Sequence, residues 1–211
     1  MIHISFSALL NLSYFKALSI VKKERPELWN FFCKKVLIFP AVSNCCLIAI
    51  MLHISYICEI WHSVGVYKKY WAKYALVVKK RLDELFGYRL LRNRVTAYVC
   101  VTPLYIRNIK KSFFLVPINA ERKRILNIII HELSHFYCYQ GYQMYGYEGE
   151  DAWELSEYLV PYMMCKYFSD ICHVAEESYI GKVPEKYNEC IKRWIEKKIN
   201  FAEMLFEISA D

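Results

Sequence analysis

Nine cysteines stand in this 211-residue chain, yet no C-x-x-C pair occurs among them. Their number is odd, Cys45 and Cys46 are adjacent, and the other spacings form no framework. That excludes a disulfide-stapled fold. Cysteines in apolar surroundings, such as Cys58, Cys100 and Cys165, are expected to be free and buried in a reducing compartment. Internal repeats and low-complexity stretches are also missing, so the length predicts one compact domain plus an extension. Met1 to Lys22 has neither a basic start nor a small-residue cleavage site, which argues against a secretory leader. Charged residues are absent from 36–58. A run of that length can cross a bilayer. Pro40, Asn44 and His53 interrupt it, and basic residues flank both sides, so it has no preferred orientation. The other reading of this run is a buried hairpin or a helix packed on the domain. The expected location is cytoplasmic, or membrane-associated through 36–58.

Charge is unevenly spread. The formal net charge is +7. Positive residues gather at Lys68, Lys69, Lys73, Lys79, Lys80, Arg81, Arg89, Arg92 and Arg94, whereas the C-terminal half is acidic on balance. No nucleic-acid motif accompanies this basic stretch. Tryptophan, tyrosine and leucine fall at helical spacing between the lysines, so the basic residues read as the solvated face of a helix. The competing reading is a surface for nucleic acid or an acidic partner.

What the chain does hold is His131-Glu132-Leu133-Ser134-His135, an H-E-x-x-H pattern at the end of the apolar run Ile125 to Ile130. Neither proline nor glycine lies between Ala120 and Gln140, so one helix can carry the whole segment. On a helix, residues four apart share a face. His131 and His135 can then hold one metal ion while Glu132 handles a proton beside it. Histidines in an apolar stretch are costly to bury without partners. A catalytic zinc takes three protein ligands, so a third must come from elsewhere. Gly146 and Gly149 can turn the chain back. Beyond them, Glu154 and Glu157 lie three apart on a second helix-like segment, and either can reach the site.

On these residues the chain resembles a gluzincin, a zinc metallopeptidase with H-E-x-x-H and a distant glutamate ligand. It is similar to the peptidase MA-like and minigluzincin members. In many of these the third ligand sits in a stretch like L-S-E-x-L-x-x-Y, which Leu155-Ser156-Glu157-Tyr158-Leu159-Val160-Pro161-Tyr162 matches. The resemblance covers roughly residues 65 to 175. It implies Glu157 as the third ligand, with Glu154 in reserve. Two positions depart from the pattern. Tyr158 is bulky where small residues are common, and Pro161 stands where some members place an aspartate that orients a ligand histidine.

The resemblance implies an α+β, zincin-like fold, mostly helical, with a small mixed sheet whose edge strand precedes the H-E-x-x-H helix. It implies Zn2+ as cofactor and a peptide or protein as substrate. The bond would be hydrolysed by a zinc-activated water, with Glu132 as the general base that passes the proton to the leaving amine. Tyr158, Tyr162 and His173 are candidates to steady the oxyanion.

The expected organisation is a hydrophobic, helical N-terminal segment over 1–63 and a catalytic domain over 64–211. Within the domain, a basic helix over 66–86 stops near Gly87. Strands lie between 89 and 118, with Ser112-Phe113-Phe114-Leu115-Val116-Pro117 leading into the motif helix. The motif helix is expected over 120–140, the glutamate helix over 151–170, and one last helix over 184–208. The acidic end of that last helix, Glu203, Glu207 and Asp211, offers an inhibitory cover for the cleft. The alternative function is a non-catalytic zincin-like binding or regulatory module using the basic 66–111 region. Nothing in the sequence specifies an oligomeric state.

Overall fold

Apolar residues three and four apart draw α1 (Ile57–Phe86) onto the core, where Ile60, Val64, Tyr67, Trp71, Val78, Leu82 and Phe86 are buried. Gly87 ends the helix in the left-handed region at φ 76°, its N–H bonded to the Asp83 carbonyl. The computed structural model describes residues 3–8, 56–91, 94–100, 107–118, 120–147, 152–172 and 183–210. Among them are the strands β1 (His3–Ala8), β2 (Arg94–Cys100), β3 (Arg107–Asn108) and β4 (Phe113–Pro117), and four further helices. These are α2 (Arg122–Tyr145), α3 (Ala152–Lys166), α4 (Glu185–Ile195) and α5 (Phe201–Ala210).

The described residues are mostly helical, with one small mixed sheet in the order β1-β2-β4-β3. β1 and β4 both run parallel to β2, and β3 is antiparallel to β4. Burial alternates along β2, with Val95, Ala97 and Val99 fully enclosed. The α1 helix packs against β1 and β2, and α2 packs against α1, α3 and α5.

Two bonds fix the entry to α2. The Tyr67 hydroxyl donates to the Pro117 carbonyl at 2.9 Å and accepts from the Ala120 N–H at 2.8 Å. Tyr67 thereby pins the β4–α2 connection to α1. At the far end of α2, the Gln140 side chain accepts from the Leu91 N–H and donates to the Arg89 carbonyl. This holds the chain leaving α1 against α2.

Four sequence expectations are corrected here. The strand before the motif helix is not at the edge, because β3 pairs with β4 through Asn108 opposite Phe113 and Arg107 opposite Phe114. A two-residue strand carries no periodic signal by which to find it. The start of the N-terminal segment is a strand and not a helix; its apolar residues Ile4, Phe6 and Ala8 alternate with His3, Ser5 and Ser7, the period of a strand. The motif helix runs on through Gly141 and ends at Gly146. The last helix is two, broken where Lys197 takes φ 58°.

Most of the candidate span 36–58 lies outside the described residues. Among the described residues, no helix is long and apolar enough to cross a membrane. Their six cysteines are free; Cys100, Cys138 and Cys172 are buried, while Cys58 is exposed, contrary to expectation.

Candidate metal centre

His131 and His135 occupy successive turns of α2, and their side chains meet. The two Nε2 atoms are 3.1 Å apart. The third arm comes from α3, where Glu157 Oε1 lies 3.7 Å from His135 Nε2. One donor atom from each of the three residues falls within 4.8 Å of the others. Glu154, the reserve candidate, accepts a hydrogen bond from the Tyr158 hydroxyl at 2.7 Å on an exposed surface. The structure thus brings Glu157, and not Glu154, to the imidazoles.

Ser156 fixes the chemistry of His135. Its hydroxyl donates to the Trp153 carbonyl at 2.7 Å, so its oxygen is left to accept from His135 Nδ1, 3.2 Å away. A proton on Nδ1 leaves the Nε2 lone pair facing His131 and Glu157. Burial pulls the pKa of His131 down to about 4 and that of His135 well below its ordinary value, and Arg107 adds to both shifts. Both rings are therefore neutral at neutral pH, the state in which imidazole ligates a metal.

The three donor atoms, within 4.8 Å of one another, are of types that can hold a metal ion, zinc among them. Two imidazole nitrogens and a carboxylate oxygen are the usual ligands of a catalytic site, and zinc–nitrogen bonds of about 2.0–2.1 Å put two tetrahedral ligands roughly 3.3 Å apart. The observed Nε2 separation of 3.1 Å is close to that.

Glu132 is 2% exposed, and its Oε2 has no hydrogen-bond partner. Burial pushes its carboxyl up to about 7, against the opposing pull of Arg107. A carboxylate that changes state near neutrality suits proton transfer. Arg107, from β3, reaches both acids: Nη2 donates to Glu157 Oε1, and Nη1 stands 3.6 Å from Glu132 Oε2.

Comparison of the chain with protein-family models, with curated proteins and with solved structures gives no match. The case for the site therefore rests on the geometry above.

Of the oxyanion candidates, Tyr158 is turned to Glu154, Tyr162 is buried, and His173 lies outside the described residues. In the basic region, Lys68, Lys69, Lys73 and Lys80 are exposed along α1, while Lys79 and Arg81 pair with Asp83 and Asp170. The acidic groups read as a cover are engaged locally, Glu203 with the Asn200 backbone and Glu207 with Arg193; Asp211 lies outside the described residues.

Sequence reasoning assigned no role to Ser156 or Arg107. Ser156 had a signal, since it neighbours Glu157 and an orienting partner for a ligand histidine was wanted once Pro161 had replaced the aspartate. Arg107 had none, because its reach depends on how β3 folds back beside β4.

Proposed function

We propose that this chain is a zinc-dependent metallopeptidase of zincin-like fold and gluzincin type, with His131, His135 and Glu157 as metal ligands and Glu132 as general base. The observation that carries the reading is the convergence of the two Nε2 atoms and Glu157 Oε1, with His135 held in the ligating tautomer by Ser156. When bound, zinc supplies Lewis acidity, making water a better acid and a carbonyl a better electrophile.

The chain's own residues supply the rest. Ser156 orients the His135 ring, as partners of ligating histidines do. Glu132 Oε2, which makes no hydrogen bond and has only the Arg107 charge beside it, can accept a proton from water and return it to the leaving amine. Burial of His135 and Glu132 keeps bulk water from competing for these groups. Pro161 has no N–H, so it cannot close the helical bond to the Glu157 carbonyl one turn earlier.

The test is metal content and hydrolysis in the same preparations. Purified wild type is expected to hold near-equimolar zinc and to cleave casein. His131→Ala is expected to lose the zinc. Glu132→Gln is expected to keep the zinc and lose cleavage. Cleavage that survives Glu132→Gln would remove the general base from the scheme.

A further inference from the structure

Arg107 brings a fixed positive charge into the centre. Its side chain is 15% exposed, between Glu132 at 3% and Glu157 at 30%, while His135 is fully buried. The half-buried Arg107, Glu157 and His131 therefore stand where solvent reaches the centre, while His135 and Glu132 lie behind them. A guanidinium carries five N–H donors in one plane. Among the described residues its hydrogen bond is the one to Glu157 Oε1, and its distance to Glu132 Oε2, 3.6 Å, is too long to count as another. Most of the fork is left for another acceptor.

Charge balance indicates what that acceptor is. Without metal, Arg107 and Glu157 offset each other. A divalent cation adds two positive charges. Even with Glu132 ionised, the enclosed site then keeps an excess positive charge, which is unfavourable without an anionic partner. We propose that Arg107 is a specificity-determining residue that binds a carboxylate of the substrate, so that the site selects peptides with an anionic group beside the scissile bond. This rests on the metallopeptidase reading and names its substrate class. A planar carboxylate matches the guanidinium fork through paired, charge-assisted hydrogen bonds, which a lysine in the same place could not reproduce.

The experiment measures binding and not turnover. The zinc-loaded Glu132→Gln protein is titrated with fluorescent pentapeptides of neutral side chains, one ending in a free carboxylate and one in an amide, and with an amide carrying one aspartate. With Arg107 present, the free acid or the aspartate amide is expected to bind about tenfold or more tighter than the neutral amide. Which of the two does so tells a terminal carboxylate from a side-chain one. Arg107→Met in the same background, kept loaded at saturating zinc because the bond to Glu157 is lost, is expected to abolish the preference, and Arg107→Lys to keep only part of it; a full preference that survives Arg107→Met overturns the anchor. Equal affinity for all three peptides in zinc-loaded protein with Arg107 intact overturns the anchor and leaves the metallopeptidase reading standing. Failure to take up zinc at all overturns both. Should Arg107→Met not fold, Arg107→Lys carries the test, because a carboxylate held by zinc alone would keep its full preference in that variant.

Discussion

Ser156 settles which nitrogen of His135 carries the proton, and through that whether a lone pair faces the ligand cluster. Ser156→Ala removes the acceptor for Nδ1 while leaving all three ligands in place. Loss of such an orienting partner costs roughly ten- to a hundredfold in metal affinity. Zinc affinity, measured by competition with a chromophoric chelator, is expected to fall by about that factor; an unchanged affinity would mean that Ser156 does not orient the ring. At this scale the motif was legible, because H-E-x-x-H encodes its geometry in a four-residue spacing. By spacing Glu157 was one of two carboxylates, and only the resemblance over Leu155 to Tyr162 put it ahead of Glu154. Three residues apart on a helix, Glu154 and Glu157 differ in direction by less than their side chains can reach, so only the packing of α3 on α2 separates them. Arg107 was invisible, since its partners lie 25 and 50 positions along the chain.

Helices that carry signals at their ends were read to within a few residues, and those without were not. Gly87 stops α1 as expected. The motif helix was expected only as far as Gln140, but it runs on through Gly141, which serves close approach. A Cβ built there would lie 2.4 Å from both Phe201 Cε1 and the Tyr88 hydroxyl oxygen. The helix passes through because a glycine inside a helix costs only about 1 kcal/mol, and here it makes room for the ring of α5. Gly141→Ala is expected to destabilise the protein by about 1–3 kcal/mol, as overpacking does. Chemical denaturation checks this, and a stabilised protein would show that the contact can yield. The break between α4 and α5 was legible in principle. Asn200 and Glu203 form a reciprocal cap, each side chain accepting from the other's backbone N–H. The regular spacing of Tyr187, Ile191, Ile195 and Ile199 concealed it.

The whole molecule is held by aromatic contacts that the sequence does not announce. Phe86 of α1 packs against Tyr137, Trp194 and Phe201 at ring-centroid distances of 5.2, 5.1 and 4.8 Å. Trp194 Nε1 also donates to the Leu85 carbonyl. The C-terminal pair of helices is thus part of the core that supports α2, which it meets at Gly141 and Tyr142, about two turns beyond His135. Its two helices complete the frame in which α2 presents the imidazoles and α3 the carboxylate. In that frame the basic residues of α1 divide into exposed lysines and paired charges, Lys79 with Asp83 on the same helix and Arg81 with Asp170 beyond α3. In the proposed site this packing selects Glu157 over Glu154 for the metal. The direct measurement is an equilibrium zinc titration of wild type, Glu157→Ala and Glu154→Ala, each checked for folding by circular dichroism. One zinc per chain is expected in the wild type and in Glu154→Ala, with severe weakening in Glu157→Ala. Full zinc affinity in Glu157→Ala, with loss in Glu154→Ala, would contradict it.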